Sequence, residues 1–152
     1  MEIQNILGYL LNTSARFIKR KMDKNLEVYN LTTSQWAVIK LLFNKKELTQ
    51  AQIADELNSD RATSGTVILK LYEKKYIDKV IDKNDRRSYV ISLTQKAKNA
   101  VKEIDLIAEN ITKKALTGLS DDNIKVLYDV LRQIINNLSE EEQNDDLETR
   151  DI

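Results

Sequence analysis

The 152-residue sequence contains no histidine, no cysteine and no proline, and only three glycines. Without histidine or cysteine, no imidazole or thiolate can hold a metal and no Ser-His-Asp or Cys-His relay can form. Disulfides and thiol redox switches are equally excluded. Three scattered glycines cannot build a phosphate-cradling loop. Enzyme chemistry would have to run on carboxylates, Lys, Tyr or Ser, and no paired acid–base constellation is visible. No catalytic residue, metal or cofactor is therefore expected. A charge excess of one sign is also missing: 24 Lys and Arg stand against 24 Asp and Glu. Taken alone, that balance argues against a nucleic-acid partner. Long apolar runs are missing too. The longest uncharged run, Ile3 to Ala15, is broken by Gln4, Asn5 and Asn12 and is too short to span a bilayer. The opening Met1-Glu2-Ile3 has no basic segment of the kind that begins a signal peptide. A cytoplasmic protein without a membrane partner is expected.

What is present is 41% hydrophobic and 32% charged sequence with few breakers, the composition of a mostly helical chain of one-domain size. Ile3, Ile6, Leu7, Leu10, Leu11, Phe17, Ile18, Met22 and Leu26 recur at offsets of three and four, predicting one long amphipathic helix. Thr32 with Gln35 has capping-box spacing and opens a second helix near 34–45, apolar nearly all round from Trp36 to Phe43. Thr49 with Gln52 repeats the spacing and opens a short helix. Asn58-Ser59-Asp60 is a turn-and-cap cluster before a further helix over about 61–74. The period then changes. Residues 76–81 and 88–93 are rich in β-branched and aromatic residues and flank the polar run Asp82 to Arg87, which predicts a hairpin with a charged tip. Thr94 caps a long helix running toward Gly118, and Ser120-Asp121-Asp122 opens the last one. From Ser139 the chain is acidic and nearly devoid of apolar residues, which reads as a frayed or disordered, solubilising tail.

The placement of charge changes the meaning of the zero balance. Residues 58–98 hold ten basic and five acidic side chains, and residues 139–152 hold seven acids and one Arg. A net +5 block and a net −6 tail thus cancel. The basic block coincides with two short helices joined by a cap-rich turn and followed by a hairpin, a winged helix-turn-helix. Such a unit projects the start of its second helix into a major groove and its hairpin tip toward the backbone or the minor groove.

The segment LTQAQIADELNSDRATSGTVILKLYEKKYIDKVIDKNDRRSYVISLTQKA, residues 48–97, resembles the winged helix of the MarR family of bacterial transcriptional regulators. Asp85-Arg86-Arg87, with Leu93-Thr94 downstream, matches that family's DxR…LT wing signature, and the flanking helices are similar in order and length over about 3–138. The resemblance implies a mostly α protein with a small β-hairpin wing: an N-terminal dimerisation helix (1–30), a DNA-binding lobe (31–94), C-terminal dimerisation helices (95–138) and the acidic tail (139–152). It implies a homodimer offering two winged helices to a pseudopalindromic double-stranded operator, as a repressor released by a small aromatic or phenolic effector.

On that resemblance, Arg61, Thr63, Ser64, Gly65 and Thr66 begin the recognition helix and face the groove. Short hydroxyls imply modest direct readout and a larger part for DNA shape. Arg87 is the wing arginine, Asp85 orients it, and Lys83 and Arg86 contact phosphate, with Lys70, Thr49 and Gln50 as weaker phosphate candidates. Lys74, Lys75, Lys96 and Lys98 read as a solvated face. Tyr9, Trp36 and Phe43 with Arg16 are candidates for an effector cleft, although stripe aromatics of this kind ordinarily serve a core. The alternative is a winged-helix module that binds protein and not DNA, for which the basic excess would have no use.

Overall fold

In the computed structural model, residues 1–148 are described. The order is a single 3-10 turn (Ile3–Asn5), α1 (Leu7–Leu26), a second 3-10 turn (Glu27–Tyr29), α2 (Thr33–Lys45), β1 (Glu47–Thr49), α3 (Gln50–Glu56) and α4 (Arg61–Glu73). There follow β2 (Ile77–Ile81), β3 (Tyr89–Leu93), α5 (Gln95–Ala115) and α6 (Asp121–Glu148). Residues Met1–Ala115 form one compact unit, and the chain from Leu116 forms a second. The first unit thus holds α1, the expected DNA-binding lobe and α5 together.

The predicted helix starts have the predicted chemistry. Gln35 N donates to Thr32 Oγ1 and Thr32 N donates to Gln35 Oε1, closing the first capping box. Thr49 and Gln52 make the same reciprocal pair at α3. Each box satisfies two backbone donors that the start of a helix would leave unpaired. The core of the first unit is built from Leu26, Val38, Ile39, Leu42, Ile53, Ile68, Leu71, Ile77, Ile91, Val101 and Ile104, all 2% exposed or less. Each such side chain contributes roughly 1.5–3 kcal/mol by leaving water.

Four features depart from the sequence reading. Glu47–Thr49 is a strand, pairing antiparallel with β3 through Leu48↔Ile91, so the wing is a three-stranded sheet in the order β1-β3-β2. Three residues are too few to display a period of two, and only β3's free edge makes them a strand. The first helix begins at Leu7, not Ile3, because Ile6 is extended (φ −84°, ψ 121°). The second helix is not buried all round: Trp36, Val38, Ile39 and Leu42 face the core, while Phe43 is exposed. Finally, the expected tail does not fray at Ser139. Helix α6 continues to Glu148, through a Glu-Glu-Glu-Gln run of strong helix formers. Residues 149–152 of that expected tail lie outside the described residues.

Candidate nucleic-acid interface

Asn58 turns the chain between α3 and α4 with a left-handed backbone (φ 49°), and Ser59 N donates to Ala54 O to close the turn. Asp60 then caps α4. Its Oδ1 accepts from Thr63 N and its Oδ2 from Thr63 Oγ1, both at 2.7 Å. The backbone bond from Thr63, with the hydroxyl bond second, holds the Asp60 carboxyl below its ordinary value of 3.8. The cap fixes the first turn of the helix whose start faces outward.

The predicted recognition residues divide. Arg61, Thr63 and Thr66 are exposed on the first two turns of α4. Thr63 spends its hydroxyl proton on Asp60, and Thr66 donates its own to Ala62 O at 3.1 Å. Both therefore present acceptor lone pairs to a partner, and Arg61 presents the guanidinium donors. Ser64 does not face outward. It is 3% exposed, and its Oγ makes no hydrogen bond to another described group. The helical period turns it toward α2, into a pocket of about 210 Å³ that it lines together with Ser34, Ala37 and Val38 of α2, Leu57 after α3 and Val67 of α4. Gly65 serves packing: a Cβ there would lie 2.8 Å from Gln50 Nε2, so this position accommodates the α3 side chain. Thr49 is occupied by its capping box, and Gln50 is half-buried beside Gly65.

The wing tip is held by short polar turns. Asn84 N donates to Asp82 Oδ1 and Arg87 N to Asp85 Oδ1, each at 3.0 Å, while Ser88 N donates to Asp85 O. Arg87 Nε lies 3.6 Å from Asp85 Oδ1, and the Arg87 side chain is 95% exposed. Asp85 therefore shapes the loop through the Arg87 backbone and holds the guanidinium only loosely. Lys83, Arg86 and Lys70 are also exposed. Of the lysines read as a solvated face, Lys75, Lys96 and Lys98 are exposed, but Lys74 is partly buried and both Lys74 and Lys96 make specific bonds. Lys74 Nζ donates to Asn30 O at 2.6 Å and to Gln35 Oε1 at 2.9 Å. Burial first, then the neighbouring Lys70 and Lys96 charges, pushes the Lys74 ammonium below its ordinary value. Lys96 donates to Lys74 O and lies 4.3 Å from the Tyr76 ring.

The effector candidates differ in burial. Trp36 is 7% exposed and belongs to the core, since α2 turns it inward. Tyr9, Arg16 and Phe43 are exposed, and Phe43 lies beside Lys40, 5.7 Å from the ring centre. A groove of about 230 Å³ lies between α1 and α5, lined by Phe17, Ile18, Lys21, Ile111, Lys114 and Ala115. Sequence periodicity marks Phe17, Ile18 and Ile111 as stripe residues, but nothing along the chain joins them. Tyr72, Lys79 and Tyr89, which meet beside the wing, are likewise not joined by sequence. Their one sequence signal is that Lys79 and Tyr89 share a face of the hairpin.

Among the described residues no His, Cys, Asp and Glu cluster could hold a metal, and no helix is long and apolar enough to cross a membrane. A model of the MarR family matches residues 31–89, from the start of α2 to the wing. The chain is 30% identical over 129 residues to the HTH-type transcriptional regulator YwaE of Bacillus subtilis, covering 84% of this chain and 75% of that protein. A MarR transcriptional regulator from Methanosarcina mazei has the same fold, with a TM-score of 0.80 at 24% identity, over 86% of this chain and 94% of that one. A cysteine-to-serine mutant of MarR from E. coli, crystallised with operator DNA, superposes with a TM-score of 0.78 at 18% identity, over 84% and 92% of the two chains. With the winged helix, its flanking helices and the DxR…LT wing in place, this chain belongs to the MarR family of transcriptional regulators.

Proposed function

We propose that this regulator is a homodimer that binds a pseudopalindromic DNA site through α4 and the wing, acting as a repressor. The observation that carries the reading is the set of exposed cations on those two elements. Arg61 and Lys70 on α4, and Lys83 and Arg86 on the wing, make no ion pair among the described residues, and Arg87 makes only the loose one to Asp85. Unpaired, solvated cations around a projecting helix start are what phosphate neutralisation requires. The E. coli relative crystallised with operator DNA shares this fold, which supports the same docking here.

Dimerisation is supported by apolar faces that each unit leaves in water. In the first unit Ile3, Ile6, Leu7 and Leu10 at the start of the chain are exposed; in the second, Val126, Leu127, Tyr128, Val130, Ile135 and Leu138 on α6 are exposed. Contiguous apolar stripes of this size are rare on monomers and call for a partner surface. A small aromatic anion is the effector best suited to the α1–α5 groove, where Phe17 and Ile111 offer apolar walls and Lys21 and Lys114 offer positive charge. Such a regulator works in the cytoplasm.

A mobility-shift titration at two salt concentrations tests the reading. Binding is expected at low salt and should weaken steeply as salt rises, because each neutralised phosphate releases condensed counterions. Absence of a shift with any duplex at low salt would favour a protein-binding winged helix instead. Sedimentation should show two chains per particle, and a stable monomer lacking residues 1–20 would refute the interlocked dimer.

A further inference from the structure

The base of the wing is anchored and its outer half is not. Ile77, Ile91 and Leu93 are buried, whereas Val80, Ile81 and Tyr89 toward the tip are exposed. A two-stranded ribbon projecting beyond its core is marginally ordered unless something braces it. One side chain spans the gap. Lys79 on β2 pairs in register with Ile91, so Tyr89 is its diagonal neighbour on the same sheet face. The Lys79 ammonium lies 4.9 Å from the centre of the Tyr89 ring and 5.3 Å from that of Tyr72, on the last turn of α4. Both distances fall within the range in which a ring quadrupole attracts a cation. Lys79 forms no ion pair with a carboxylate among the described residues. One cation thus links the end of the helix to the strand that leads back from Arg86 and Arg87.

We propose that Lys79, held between Tyr72 and Tyr89, is a positioning residue that fixes the angle of the wing relative to α4 and so the spacing between the two DNA-contacting elements. The inference rests on the DNA-binding reading above. It assigns Lys79 no phosphate contact. Its charge is used internally, and its effect on DNA is exerted through the placement of Arg86 and Arg87.

The test uses the full-length chain and a duplex selected by the wild-type protein from a random-sequence library. Lys79→Met removes the cation, while Tyr72→Leu and Tyr89→Leu remove one ring each and leave the charge in place. Each variant should weaken binding about two- to five-fold per lost contact. The slope of log affinity against log salt should stay at the wild-type value, because no phosphate contact is removed. Lys79→Arg should restore affinity. In the free protein the Lys79 Cε protons should be shifted upfield by the ring currents, and Tyr72→Leu should reduce that shift. If the wild-type protein selects no duplex, the DNA reading fails and the inference with it. If the wild type binds and the two tyrosine variants bind as well as it does, the inference alone is overturned. It is equally overturned if Lys79→Met lowers the salt slope by about one, the signature of a direct phosphate contact, or if the upfield shift is absent.

Discussion

Gly65 on α4 lies so close to Gln50 on α3 that a Cβ there would stand 2.8 Å from the Gln50 amide nitrogen. The two helices of the helix-turn-helix therefore meet through a missing side chain. The atom in the way is the end of a flexible side chain, which can swing aside. A mid-helix glycine costs about 1 kcal/mol relative to alanine. Gly65→Ala should therefore stabilise the fold by roughly 0.5 kcal/mol after Gln50 is displaced, read as a small rise in melting temperature. A fall would show that the Gln50 contact is worth more than the helical preference. If Gln50 also touches phosphate, the same variant loses DNA affinity while gaining stability.

At the other end of the lobe, Asp23 on α1 ties down the start of α2. Its Oδ1 accepts from Thr33 N and Thr33 Oγ1, both at 2.7 Å, and its Oδ2 from Lys19 Nζ at 2.6 Å. Burial works to raise its pKa, but the bonds from Lys19 and Thr33 outweigh it and hold the carboxyl below 3.8. A carboxylate with a depressed folded-state pKa stabilises fully above its unfolded value and loses that contribution as pH falls through the folded one. The melting-temperature gap between wild type and Asp23→Asn should therefore be constant near neutral pH and narrow below 3.8. A gap that stayed the same in acid would mean the charge contributes nothing. Lys19 is half-exposed, so the gap should also shrink with added salt.

A chain with three glycines, of which only Gly118 has a positive φ, makes its other reversals with Asn30, Lys46, Asn58 and Lys75. Lys46 leaves α2 with φ 74° and ψ −59°, a strained γ-turn geometry, and so directs the chain into β1. Lys46→Gly should relieve that strain at the cost of unfolded-state entropy, for a net gain of about 1 kcal/mol. Chemical denaturation with an unchanged m-value would measure it; a loss of stability would show that the lysine stem contributes packing that outweighs the strain.

On the wing, Arg87→Ala should weaken DNA binding and reduce the salt slope by about one, with the helical circular dichroism unchanged. Asp85→Ala should weaken binding less, since it frees the Arg87 backbone donor and loosens the tip without removing a cation. Equal binding by Arg87→Ala and wild type would take the wing out of the mechanism.

Helix starts were readable along the chain because a cap is local chemistry: Thr32, Thr49 and Asp60 each act on a backbone N–H three residues away. The hairpin, the basic block and the family resemblance were readable for the same reason, since period, charge and motif spacing are properties of neighbours in sequence. The strand Glu47–Thr49 was not, because its structure comes from the edge of β3, which lies far along the chain. The inward turn of Ser64, at i−4 and i−7 from Ile68 and Leu71, follows the helical period, but the use of Gly65 for packing and the engagement of Lys74 with Asn30 and Gln35 were no more readable than that strand. The aromatic seat of Lys79 belongs with them, since it joins three elements.

By itself, the sequence determined which chemistries are closed to this protein, where its side-chain-capped helices begin, and that its balanced charge conceals a basic winged block. Tertiary structure decided which of the expected contact residues remain available. Hydrogen bonds and burial are settled by whatever the fold brings alongside. Thr63, Thr66 and Ser64 have similar hydroxyls within one short stretch of α4, yet one is spent on a cap, one on the helix backbone, and one is enclosed against α2.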